Sequence, residues 1–236
     1  VDLTSDTRPA GSLDVQVVRS RPTPAQWPDR QLSLAEIGRH GMPRRGLPAE
    51  VNRWRRANRT HLARGLRRVL LARTLRLPHF YGALFLTVIR ADGRVENLGL
   101  ASLRLVTTTG VRFICDDFNA SSTDVSNMKF HGIGTGAVAE AVGDTALGTE
   151  ITTQYSTDNT RPTGTQASAT VSTNATYTTV GTITVDATVA ATEHGILSQA
   201  ATGGGTLLDR SVFSVVNLAS GDSLQATYVL TINSGG

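Results

Sequence analysis

The hydrophobic pattern of the chain changes period near Tyr81. Upstream, apolar residues recur at helical spacing among arginines. Downstream they fall into short runs of Val, Thr, Leu and Ile punctuated by Gly, Asn and Asp. Helical faces repeat about every 3.6 residues and strand faces about every two, so the change predicts helix giving way to strand. From about Pro48 to Leu75, Val51, Trp54, Leu62, Leu66, Val69 and Leu70 form a broken apolar stripe. Arg53, Arg56, Arg59, Arg64, Arg67 and Arg68 occupy much of the remaining circumference. Pro48 suits a first-turn position and Glu50 lies at the positive end of the helix dipole. Gly65 weakens this helix and Pro78 stops it. Ahead of it, Pro9, Pro22, Pro24 and Pro28 break residues 1–31, apart from a strand-like Leu13–Val18. Residues 32–40 offer a short helical face of Leu32, Leu34 and Ile37.

Beyond Tyr81, Leu84–Ile89 and the run from Val95 flank Asp92-Gly93, a strong hairpin signal because glycine accepts positive φ. Val111–Ile114, after a Thr109-Gly110 turn, is expected to extend this meander. Residues 119–165 carry less regular structure, with one helical turn expected near Asp144–Leu147. Further strands are expected at Ala167–Ser172, Tyr177–Val185, Gly195–Ala200, Leu207–Val216 and Leu224–Ile232, the last two joined as a hairpin at Gly221-Asp222. The fold class is therefore mainly β: an antiparallel β-sandwich or jelly roll (residues 81–236) preceded by a basic, partly helical N-terminal arm (residues 1–80).

Charge sharpens this division. Sixteen of twenty-two arginines precede Tyr81, against six acidic residues, so the arm carries about +10 and the remainder about −6. Lys129 is the sole lysine. Guanidinium groups make forked contacts to phosphates and carboxylates, so the arm points to nucleic acid or an acidic protein surface.

Candidate chemistry is thin. Cys115 is the only cysteine, which excludes an intrachain disulfide and a cysteine metal cluster, and its apolar neighbours predict a buried thiol. Gly132-Ile133-Gly134-Thr135-Gly136 lacks the spacing of a nucleotide-binding loop and reads as a tight turn. His131 and His194 each precede glycine without metal-ligand clustering and read as surface or turn-packing histidines. Asp116, Asp117, Asp144 and Glu150 have no accompanying nucleophile. The expectation is a non-enzymatic protein with no cofactor and no metal. No apolar run reaches membrane-spanning length, and no membrane partner is expected.

Four segments of the β region carry a resemblance: Met128–Gly136, Gly143–Glu150, Leu208–Phe213, and Gly221–Gln225 with Tyr228–Ile232. Their wording is similar to segments of tailed-bacteriophage virion structural proteins, over roughly residues 82–236. The resemblance implies a virion component, with a capsid cement or decoration subunit as the first expectation. A tail, neck or fibre-attachment protein is the alternative, and a nucleic-acid-binding internal virion protein a further one. The implied partners are the major capsid protein or another virion structural protein, with a homo-oligomer such as a trimer. The arm lies outside the resemblance; nucleic acid through residues 1–80 rests on its charge alone. Arg53, Trp54, Arg56, Arg67, Arg68, Asp209 and Arg210 are the expected interface residues.

Overall fold

A computed structural model of the chain describes residues 39–75, 79–119, 124–171 and 174–233. The Leu13–Val18 strand and most of the short helix expected over 32–40 lie outside them.

Among the described residues, eight strands form two antiparallel sheets: β1 (His79–Ile89), β2 (Val95–Leu105), β3 (Phe130–Gly134), β4 (Thr165–Val171), β5 (Asn174–Thr184), β6 (Val189–Leu197), β7 (Leu207–Leu218) and β8 (Ser223–Asn233). The larger sheet runs β2-β1-β8-β5-β4 and the smaller β3-β6-β7. Side chains alternate across a strand, and β1 uses both sides. Leu84, Leu86 and Val88 face the smaller sheet, packing in one core with Ile133, Ala191 and Phe213. Tyr81, Ala83 and Phe85 face outward. The β-sandwich expected from strand spacing is the observed architecture.

The outward side of β1 is covered by helices. α1 (Ala49–Ala57) and α2 (Arg59–Thr74) replace the single expected helix, with a break at Asn58. Asn58 continues the backbone ladder, its N–H donating to the Trp54 carbonyl at 2.9 Å, but its side chain is drawn into the sandwich seam. Leu62 and Val69 pack on Tyr81, Phe85, Leu100 and Leu103. Burying each such side chain contributes about 1.5–3 kcal/mol. Gly65 allows the close approach: a Cβ there would collide with the Leu103 carbonyl. Residues 49–74, expected as part of an arm, thus share a core with the β region.

Four local expectations are corrected. Val111–Ile114 belongs to a helix, α3 (Thr108–Asp117), not a strand. The Thr107 hydroxyl caps it by accepting from Gly110 N at 3.0 Å, while Phe113 and Ile114 pack beside Met128 and Leu208. Cys115 consequently lies on the exposed helix face and is not buried. Gly221-Asp222 does not close a hairpin: it carries the chain from β7 in one sheet to β8 in the other, where β8 pairs with β1 and β5. The turn expected as helical near Asp144–Leu147 contains no helix. The Asp92-Gly93 hairpin does join β1 to β2, with Gly93 at φ 84°.

Candidate functional site

Four clusters of polar side chains are built into this frame, and a basic surface lies outside it. The first cluster fastens the long 135–150 connection onto the smaller sheet. Glu193 on β6 is fully buried and its carboxylate accepts backbone N–H groups from Gly136 (3.0 Å), Gly148 (2.9 Å) and Thr149 (2.7 Å). Arg210 on β7 donates Nε to the same carboxylate at 2.7 Å, Nη1 to Asp144 at 3.0 Å and Nη2 to the Val138 carbonyl at 3.2 Å. A buried carboxylate is tolerable only when its lone pairs are used, and here they are. The hydrogen bonds to Glu193 and Asp144 raise the Arg210 pKa against the opposing cost of its burial. Leu147, set in the same connection, lies within reach of Gly132 and Gly195.

A second clamp holds the glycine-rich bend. Arg161 grips Glu150, with Nη2 to Oε2 at 2.7 Å, and donates Nη1 to the carbonyls of Gln199 (2.9 Å) and Gly204 (3.0 Å). The segments Met128–Gly136, Gly143–Glu150 and Leu208–Phe213 therefore meet through one pair of clamps. Their residue types have a structural use: glycines expose N–H groups, and acids and arginines bind across the connection.

Between the sheets lies a histidine pair that sequence reasoning missed. β3 and β6 align two His-Gly-Ile tripeptides antiparallel, so His131 opposes Ile196, Gly132 opposes Gly195, and Ile133 opposes His194. Both histidines then point inward, with His131 Nδ1 at 3.0 Å from His194 Nε2 and His131 Nε2 at 3.1 Å from Thr179 Oγ1. Burial lowers the pKa of His131 to about 3 and of His194 well below the usual range. The repeated tripeptide was the available signal. Alternation placed each histidine on the face of an isoleucine, but nothing local paired the two strands.

The seam between β2 and β7 is closed by α1. The Asn58 side chain donates to the Ala101 carbonyl at 2.8 Å and accepts from Ser214 N at 2.9 Å, while Trp54 Nε1 donates to the Ser214 carbonyl at 2.9 Å. Beside it, Arg104 contacts Glu140 at 3.0 Å, and Arg64 of α2 lies 3.6 Å from the same acid. Asp209 accepts from the Ser211 hydroxyl at 3.2 Å; burial pushes its pKa up to about 7 although the nearby Arg104 pulls it down.

The seven expected interface residues separate accordingly. Asp209 and Arg210, expected to pair across a subunit boundary, are 2% and 5% exposed and bind within the chain, a correction that follows from their opposite faces on β7: Asp209 is turned toward the larger sheet and Arg210 lies under the 135–150 connection. Trp54 is half-buried and tied to β7. Arg53, Arg56, Arg67 and Arg68 are exposed and make no ion pair among the described residues.

A polar cleft of about 440 Å³ is lined by Tyr155, Asp158, Thr160, Arg161, Thr182 and Thr184, but its Arg161 is already committed to Glu150. Among the described residues, no three His, Cys, Asp or Glu side chains gather as a metal site, and no helix is long and apolar enough to cross a membrane.

Fold and clusters together define an antiparallel β-sandwich clamped internally by arginine–carboxylate pairs and clad on one side by basic helices. No family model, curated protein or solved structure matches the chain.

Proposed function

We propose that this protein is a structural, non-catalytic subunit of a virus particle, acting as a capsid cement or decoration protein. The observation that carries the reading is the set of exposed guanidinium groups of Arg53, Arg56, Arg67 and Arg68, which have no acidic partner among the described residues and sit on helices whose other face is fixed to the sandwich. Charged groups presented on a rigid support can pair with carboxylates of a neighbouring capsid protein without a large ordering cost. The phage-like wording of the β region supports the same reading. Repetition over a closed shell would then convert modest contacts into lasting stabilisation.

Quantitative mass spectrometry of purified particles tests this. Copy numbers comparable to the major capsid protein are expected. A few copies per particle would overturn the cement reading in favour of a tail, neck or fibre-attachment component. A second reading, binding of packaged nucleic acid, is favoured by the charge of about +10 over residues 1–80. It requires DNA affinity that falls steeply with salt and is lost when the helix arginines become glutamines.

A further inference from the structure

We propose that β4 is a self-association edge, at which two copies of this chain join their larger sheets antiparallel across a twofold axis centred on Ser168. The larger sheet has five strands and the smaller three. Of the smaller sheet it is the edge strand β3 that contacts β5. β4, beyond β5, overhangs, and residues 165–169 are all exposed. Among the described residues, β5 is the one strand paired with β4, which leaves a row of backbone donors and acceptors along its other side.

Monomeric proteins protect such an edge with charges, proline, bulges or a covering segment. The β4 sequence Thr165-Gln166-Ala167-Ser168-Ala169-Thr170-Val171 contains no charge and no proline, and its pairing with β5 shows no bulge. Its length also matches a strand of ordinary size.

The occupant is indicated by the sequence itself. Folded antiparallel about Ser168, Ala167 opposes Ala169, Gln166 opposes Thr170, Thr165 opposes Val171, and Ser168 opposes its own copy. Every pair is uncharged and the central ones are small, so two sheets can approach without a bulky or like-charged cross-strand pair. A twofold interface requires this kind of self-complementarity. The inference rests on β4 alone and stands whether or not the protein belongs to a particle.

Disulfide trapping in the full-length chain tests it, with the exposed Cys115 replaced by serine. At the twofold axis, Ser168→Cys places two thiols directly across from each other, within about 5.5 Å by Cβ. Thr165→Cys, equally exposed on the same strand, places them roughly 20 Å apart. Ser168→Cys is expected to give at least about tenfold more disulfide dimer under mild oxidation, because thiols whose Cα atoms lie beyond about 7 Å cannot bridge. Ser168→Lys, which sets like charges opposite each other, should raise the dimer dissociation constant at least about tenfold in sedimentation equilibrium, with the circular dichroism unchanged. Equal trapping at both positions, absence of a Ser168→Cys dimer, or self-association unaffected by Ser168→Lys would each overturn the proposal.

Discussion

Arginine is used in two different ways on either side of Tyr81. In the β region all six arginines are in ion pairs, and Arg104, Arg161 and Arg210 are almost wholly buried. On α1 and α2 the exposed Arg53, Arg56, Arg67 and Arg68 have no acidic partner among the described residues. A buried guanidinium must be satisfied where it sits, because desolvation costs several kcal/mol, at least roughly, unless donors and charge are matched. An exposed one is satisfied by water and remains available. Arg55 is the instructive exception on the helices. It is buried without a carboxylate partner among the described residues and donates instead to the carbonyls of Met42, Asn97 and Leu98, where burial lowers its pKa. The same residue type is thus a structural clamp in one half and surface charge in the other.

The largest test of this contrast is Arg210→Met. It leaves the Glu193 carboxylate buried without its cation and releases Asp144, and a loss of about 3–5 kcal/mol is expected. Urea denaturation of the isolated protein measures it. A loss under about 1 kcal/mol would mean the three backbone donors alone satisfy Glu193. The seam comes next. Asn58→Ala strands both the Ala101 carbonyl and the Ser214 N–H, with an expected cost of about 2–3 kcal/mol in the same assay. A near-neutral result would show that α1 is not needed to close β2 against β7.

How much of this was legible beforehand depends on how local each determinant is. The β-sandwich and the Asp92-Gly93 hairpin follow from alternation and one turn dipeptide. The strand starting at Leu207 was also found at its first residue, since its apolar run begins after three glycines. Val111–Ile114 misled because a β-rich composition was read without its cap. Thr107 commits the following residues to α3, and that hydroxyl is anchored to β7 about 100 residues away. Gly221-Asp222 misled for a related reason: a turn signal reports reversal of the chain, not which sheet receives the next strand. For the site, exposed helix arginines could be read from the stripe they oppose. Arg210 could not, because its partners Glu193 and Asp144 come from distant segments, and neither could the burial of Asp209, which the opposing sheet imposes.

Titration offers a smaller and oppositely signed pair of tests. His131 and His194 have lowered pKa values in the folded protein, so the unfolded chain takes up protons that the folded one refuses. Their contribution is present above the unfolded value near 6.5 and is lost as pH falls toward about 3. Stability should fall in this window by up to roughly 1.4 kcal/mol per pH unit for each histidine. Replacing His131 by Gln should flatten the slope; an unchanged slope would place the acid sensitivity elsewhere. Asp209 acts the other way. Its folded pKa is raised from 3.8 to about 7, so its contribution is full below the unfolded value and lost as pH rises through 7. Asp209→Asn should therefore gain on the wild type as pH rises from about 4 to about 8, by up to roughly 1.4 kcal/mol per pH unit, read from denaturation midpoints.

The smallest effect on folding is expected where the effect on binding should be greatest. Arg53, Arg56, Arg67 and Arg68 touch neither the Leu62–Val69 core nor the seam, so replacing each by Gln should change unfolding free energy by less than about 0.5 kcal/mol. If these groups pair with carboxylates on a shell, the fourfold variant should still fold yet leave purified particles at moderate salt, while the wild type remains bound. Retention of the variant would remove the exposed arginines from the binding surface and leave the sandwich to carry it. A large loss of stability would mean instead that these side chains contribute to the fold through their stems. Only folding preserved with attachment lost keeps the two uses of arginine apart.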